Sequence, residues 1–430
     1  MTDTLRIGGG HVLRPDMSVE EADVLVDRVS GEILEVGDVP GGDATLDASG
    51  GLVMPGLVNA HTHTAMTLLR GYADDKPLET WLREDIWPAE GELTPEDVRA
   101  GTDLALLEMI ESGTTGFADM YFHMPEVVDA VDEAGLRARI GHGVVTVGKD
   151  EDEARADNEE SLEVAREYDG AAEGRVSTAY TPHSLTTVGE EFLVEFTEEA
   201  RDEGIPLHFH ANETEDEVDP ILAQEDQRPL AYADDLGMLT DEDWVAHGVH
   251  VDDTEIDLLA ERGTAVVHCP ASNMKLASGA APVQDLLDAG VTVGLGTDGA
   301  ASNNDLDMFD EMRDAAMLGK LSTGDASAVP AEAVVEMATA GSADALGFDA
   351  GRIEEGRKAD LAVVDFETAR LTPVHDYVSH LAYAASGADV RHTVCDGQVL
   401  MRDGEVQTLD AEAVRERAAD HAERVTERAG

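Results

Sequence analysis

The chain has 430 residues, too many for one ordinary domain and enough for a large barrel with a smaller companion. Its 92 Asp and Glu against 29 Lys and Arg give a formal net charge of −63, which repels nucleic acid and anionic membranes and excludes both as partners. A hydrophobic fraction of 42%, patterned into strands and helices almost end to end, excludes disorder and points to a protein adapted to very high salt. There the Debye length shrinks to about 3 Å and self-repulsion is screened.

Residues 5–7, 11–13, 23–26 and 32–36 read as short strands separated by turns. Gly8-Gly9-Gly10 is one of those turns, since no helix follows to make it a phosphate loop. The apolar run at 51–58 reads as a buried strand leading into Asn59-Ala60-His61-Thr62-His63. Thr94 as N-cap and Pro95 at the first position open a helix that runs to about Ser112. Strands then follow at 116–120, 139–144, 176–180, 207–210, 244–247, 264–268 and 291–296. Helical patterns at 125–134, 190–203, 255–262 and 283–289 separate several of them. Residues 149–160 are expected to form an irregular polar loop at the barrel mouth. The alternation predicts an α/β fold, a (β/α)8 TIM-like barrel over residues 55–345.

Residues 360–365 and 393–400 repeat the texture of the N-terminus, with Asp396-Gly397 as a hairpin turn. The expectation is a small β-sandwich domain built from both ends, residues 1–54 together with 346–430. Residues 410–429 read as a charged surface helix with no evident chemistry. Cys269 and Cys395 stand apart, with no CxxC pair, so a reducing, cytoplasmic setting is expected. No signal-peptide pattern opens the chain, and no apolar run is long enough to span a bilayer.

Barrel enzymes carry their chemistry at the C-terminal ends of the strands. Those ends offer His61 and His63, then His183, then His210 with Glu213, then His247, and finally Asp298. His61 and His63, two apart on a strand, point to one face. Three imidazoles and one carboxylate, with a position left for water, suit one divalent metal ion on His61, His63, His210 and Asp298. Zinc is the first expectation, with iron, manganese or nickel as alternatives. His208 points inward one layer deeper and is expected to pack behind the site; His268, on strand seven, is a further candidate for such a supporting role. The remaining histidines lack supporting spacing. Gly294-Leu295-Gly296-Thr297-Asp298-Gly299 matches GxGxxG, but it closes the last barrel strand instead of opening a first βα unit, so the dinucleotide reading is weak.

The stretches "PGLVNAHTHT", "TPHS", "HFHANETEDE", "NMKLASGAAPVQDLLDAG" and "GTDGAASNNDLDMFDEMR" resemble the amidohydrolase superfamily. The chain is most similar to its 5-methylthioadenosine/S-adenosylhomocysteine deaminase branch, over nearly the whole length. The resemblance implies metal binding by His61, His63, His210 and Asp298 and substrate contacts from Glu90 and His183. It also implies that Glu213 protonates the purine ring, that Asp298 takes the proton of the attacking water and that His247 assists that water. The absence of a lysine in "STAYTPHS" agrees with a single ion. Members that accept S-adenosylhomocysteine meet its carboxylate with arginines after strand three, where this chain offers only Lys149 and Arg155 as substrate-binding cations.

The implied substrate is therefore a small adenosine-type nucleoside, with homo-oligomerisation left open. A guanine deaminase, a triazine chlorohydrolase and an adenosine or 5′-deoxyadenosine deaminase are the competing enzyme readings. Glu90 favours a riboside over a free base or triazine, because a carboxylate suits a ribose diol. A non-catalytic scaffold is disfavoured because all four metal positions are filled.

Overall fold

The computed structural model describes residues 3–430. Among them, the middle of the chain supplies eight barrel strands: β1 (Leu57–His63), β2 (Thr114–Tyr121), β3 (Arg137–Val144), β4 (Val176–Thr178), β5 (His208–Ala211), β6 (Trp244–His247), β7 (Ala265–His268) and β8 (Val293–Leu295). They pair in parallel, in the orders β4-β3-β2-β1 and β5-β6-β7-β8. Parallel bridges Tyr180–Leu207 and Ser184–His210 link the chain after β4 to β5, and Asp298–Gly299, just past β8, pairs with Thr62 and His63 of β1. The two sheets thus meet at both seams, in the manner of a (β/α)8 barrel. β1, β2 and β5 to β8 are buried along their whole length, as a parallel sheet covered on both faces requires.

Small residues make room for one large one inside the barrel. Ala60, Ala118, Ala179 and Ala265 share one buried cluster with Trp244, and Leu346 and Phe348 join it. Helix α1 (Pro95–Glu111) has the expected start: the Thr94 side chain accepts from the Asp97 N–H while Asp97 reaches back to the Thr94 N–H.

Residues 149–160 are not the irregular loop that their polarity suggests. Asp150 and Glu153 form a capping box, and helix α2 (Glu151–Tyr168) follows, with Ala154, Leu162, Val164 and Ala165 buried. Acidic residues crowd the exposed face and hide a sparse apolar stripe, which is enough once it has a barrel to pack against. Helix α3 (Glu215–Glu225) follows β5, capped by Thr214.

Both chain ends enter one two-layer sandwich. Thr4–Gly8, Asp23–Asp27, Glu32–Gly37 and Ala44–Asp47 form one sheet, while Gly51–Pro55 lies between His11–Leu13 and Leu361–Asp365 in the other. Alternate residues face inward: Leu5, Ile7, Val24 and Val26 meet Val53, Leu361, Val363 and Val394 in one apolar cluster. Helix α4 (Ala411–Ala429) lies instead against α1 and buries Val414, Ala418 and Val425. There Asp97, almost fully buried, accepts from His421 at 2.6 Å and from Arg428, and Asp103 accepts from Arg417. No helix among the described residues is long and apolar enough to cross a membrane.

Candidate active site

Strand geometry brings His61, His63, His210, His247 and Asp298 to one end of the barrel. The strand-to-loop turns are sharp: His247 has φ 75°, Asp298 φ 62° and Asn212, between His210 and Glu213, φ 54°. Left-handed backbone at non-glycine residues is strained, and such strain gathers where a side chain must be aimed. The GxGxxG-like run owes its glycines to the same crowding. A Cβ on Gly296 would stand 2.9 Å from the N, O and Cβ atoms of His61, and one on Gly299 would meet Met66 Sδ at 2.3 Å. These glycines let the chain after β8 press against β1; they cradle no phosphate.

The hydrogen bonds behind the histidines dictate their tautomers. His63 Nδ1 donates to Met120 O at 2.7 Å and His210 Nδ1 to His183 O at 2.7 Å, so each Nε2 keeps its lone pair. His208, stacked on Trp244, donates its Nδ1 proton to Trp244 O at 2.9 Å, which leaves its Nε2 as an acceptor. That nitrogen lies 2.8 Å from His61 Nδ1, so His61 donates there and turns a bare Nε2 inward. His61 Nε2 is buried with no hydrogen-bond partner. Asp298 Oδ1 lies 3.5 Å from it and 3.2 Å from His63 Nε2, while Asp298 Oδ2 accepts from Ser272 and Ser302 at 2.7 and 2.8 Å. Ligand atoms of His61, His63 and His210 all lie within 4.8 Å of one another, as do those of His61, His247 and Asp298.

Three inward lone pairs and a carboxylate oxygen, one of them an orphaned buried nitrogen, fit a divalent cation. The titration pattern carries the same demand for positive charge. Burial drags His61 down to about 4 and His210 well below its usual range; at His63 the opposing pull of Asp298 overcomes burial and raises it to about 9, so the proton shared between His63 Nε2 and Asp298 Oδ1 has to leave before that nitrogen offers its lone pair to a cation.

A cleft opens over this cluster. Glu213 lines it, its Oε2 3.7 Å from His247 Nε2 and its backbone N–H donating to Glu217 at 2.9 Å. Burial, then the Asp298 charge, push Glu213 up to about 8. Asn273 donates to His247 Nδ1 at 3.0 Å, which leaves the His247 proton on Nε2, facing the cleft. Glu90 stands on the wall, where it accepts from the Tyr121 hydroxyl at 2.7 Å and is raised by burial. His183 also lines the cleft; burial and its charged neighbours hold it down to about 3, a neutral ring. Trp81, Leu82, Phe122 and Val145 are among its apolar lining residues.

Every sequence-derived site residue except two lies in or directly beneath this cleft. Lys149 does not line it; its ammonium is 2.7 Å from Asp157. Arg155 sits on α2 in a two-pronged pair with Glu195, at 2.6 and 2.9 Å, above Phe192 and Phe196. Both cations are spent on carboxylates of this chain, which an excess of 63 negative charges makes the usual fate of a lysine or arginine here. His208 packs behind the site as expected, and His268 is buried on β7 outside the cleft lining. Sequence reasoning missed Tyr121, Ser272, Asn273 and Ser302. Asn273 and Ser302 stood inside quoted motifs, but nothing in their spacing says which strand end they face.

A family model described as the amidohydrolase family matches residues 52–400. The chain is 69% identical over 430 residues, all of both proteins, to the 5-methylthioadenosine/S-adenosylhomocysteine deaminase of Halobacterium salinarum. It is 48% identical over 400 residues to the 5′-deoxyadenosine deaminase of Methanosarcina mazei, covering 93% of this chain and 92% of that protein. Among solved structures, an adenosine deaminase from Xanthomonas campestris with bound zinc superimposes with a TM-score of 0.92 at 38% identity, covering 98% of each chain. With the histidine and aspartate cluster at the barrel mouth, these likenesses establish that the chain belongs to the amidohydrolase family.

Proposed function

We propose that the protein is a metal-dependent hydrolase that deaminates adenosine-type nucleosides, 5′-methylthioadenosine and/or S-adenosylhomocysteine, with 5′-deoxyadenosine as the alternative. The observation that carries this reading is the placement of Glu213, buried in the cleft lining with its Oε2 3.7 Å from His247 Nε2 and beside the cation-binding cluster, where burial and the Asp298 charge raise it to about 8. The deaminase names of the relatives support it.

One divalent ion, zinc in the first instance, would be held by His61, His63, His210 and Asp298. When bound, it makes a water ionisable near neutral pH and so supplies the nucleophile. Asp298 takes the water's proton, with its second oxygen steadied by Ser272 and Ser302. Glu213 gives its proton to the ring nitrogen next to the amino-bearing carbon, which makes that carbon electrophilic. His247, with its proton on Nε2, orients the water. A proton passes to the departing amine: water and adenine become hypoxanthine and ammonia. Glu90 accepts from the ribose hydroxyls, His183 contacts the substrate, and Trp81, Leu82, Phe122 and Val145 take the apolar faces of the purine and the 5′ group. The same reading divides the chain into a catalytic barrel at 55–345 and a composite module of 1–54 with 346–430. The pairing of Gly51–Pro55 with Leu361–Asp365 supports that division.

The test is a substrate panel in strong salt with the metal-loaded protein: 5′-methylthioadenosine, 5′-deoxyadenosine, S-adenosylhomocysteine, adenosine, guanine and a chlorotriazine. Ultraviolet absorbance follows the change from adenine to hypoxanthine. Turnover of guanine or the triazine with none of any adenosine compound would overturn the reading.

A further inference from the structure

Behind the cleft wall, helix α2 carries a carboxylate that never reaches the cleft. Asp157 Oδ2 accepts from the Val145 N–H at 3.0 Å and from Lys149 Nζ at 2.7 Å, and Oδ1 accepts from His142 Nε2 at 3.1 Å. Those three partners are the end of β3 and both ends of the loop that follows it. His142, Asp157 and Glu160 also bring ligand-type atoms within 4.8 Å of one another, but the Lys149 ammonium already supplies the cation there.

The loop so gripped is itself built into the cleft. Val145 lines it. The next two residues, Thr146 and Val147, donate their N–H groups to Thr187 O at 2.9 and 3.2 Å, and Thr146 Oγ1 accepts from the Gly189 N–H at 2.9 Å. Thr187 Oγ1 in turn lies 3.1 Å from Nδ1 of His183, which lines the same cleft. A continuous run of hydrogen bonds thus leads from Asp157 through two loops to a ring facing the substrate.

We propose that Asp157 is a positioning residue for substrate binding: it braces the 145–149 loop as the cleft wall and, through Thr187, fixes the ring of His183. This rests on the nucleoside reading for what the cleft holds. The groups that act on the purine amine, Glu213, His247 and Asp298, share none of these bonds, so the brace serves binding and leaves the chemical step alone.

The experiment compares the metal-loaded wild type with Asp157→Ala and Asp157→Asn in strong salt, using 5′-deoxyadenosine and amide hydrogen exchange. Asp157→Ala should speed exchange at Thr146, Val147 and Gly189 while the rest of the barrel keeps its protection. KM should rise about tenfold, the scale of one lost hydrogen bond, with kcat within about twofold and metal content unchanged. Asp157→Asn keeps an oxygen for the Val145 N–H and should recover most of the loss in KM. Unchanged exchange at those three amides would overturn the brace, as would faster exchange throughout the barrel or a fall in kcat at constant KM. If the wild type fails to turn over the nucleoside, the functional reading falls, and the three amides still decide the brace.

Discussion

Glu213 and Glu90 share one cleft and one cause of perturbation, burial, yet opposite demands fall on them. Glu213 is useful while protonated, raised to about 8. Its proton is present below that value and lost as pH rises through it, so kcat/KM should fall on the alkaline side near pH 8. Glu213→Gln should fold and hold metal while kcat drops roughly 10²–10⁴-fold, because an amide cannot deliver a proton. A variant that keeps wild-type turnover would remove Glu213 from the mechanism. Glu90 already receives the Tyr121 hydroxyl on one oxygen, which aims the other lone pairs at the cleft. Glu90→Gln should raise KM for ribosides and matter much less for a 2′-deoxyriboside, which offers one hydroxyl fewer. The comparison is a double-mutant cycle across enzyme and substrate; equal losses for both sugars would exclude the ribose contact. At this scale the proximity of His61, His63, His210 and Asp298 was legible because they punctuate strand ends, two of them with period-two spacing. The residues that hold them in place were not: Ser272 reaches Asp298 and Tyr121 reaches Glu90 only after the barrel has folded, and spacing carries no trace of such contacts.

Barrel strands two to eight were read to within about two residues, since continuous apolar runs ending in polar residues have few other interpretations; the run at 51–58, read as one strand, divides at Gly56 into Gly51–Pro55 of the sandwich and β1 of the barrel. α2 was missed for the converse reason: on an acidic exposed face, helix and loop have the same composition, and only the Asp150–Glu153 capping box marks the start. The run of glycines after β8 shows how an element can carry a motif for a reason unrelated to the motif's usual chemistry. Its contact with β1 is backbone on backbone at Gly296, where no rotamer can give way. Gly296→Ala should therefore displace His61 and weaken metal affinity on the order of tenfold or more. Titration with a competing chelator measures this, and unchanged affinity would mean that the β8–β1 approach is looser than the 2.9 Å contacts imply.

Across the whole molecule the charge of −63 is the dominant condition of folding. Ion pairs such as Arg155–Glu195 and Arg166–Glu203 use up many of the 29 basic groups, and the remaining carboxylates repel one another unless counterions gather. The melting temperature should rise steadily from dilute buffer to molar potassium chloride, followed by circular dichroism; a salt-independent value would refute the halophilic reading. One further consequence concerns time. Gly51–Pro55 has His11–Leu13 on one side from the start of synthesis, but its other neighbour, Leu361–Asp365, leaves the ribosome about three hundred residues later. At typical elongation rates that interval is roughly fifteen seconds to a minute, during which an apolar strand edge stands open on every nascent chain. Neighbouring chains on one messenger would pair along such edges. The acidic residues already emerged on each of them oppose that approach, so the charge that suits the mature protein to brine also guards its unfinished half.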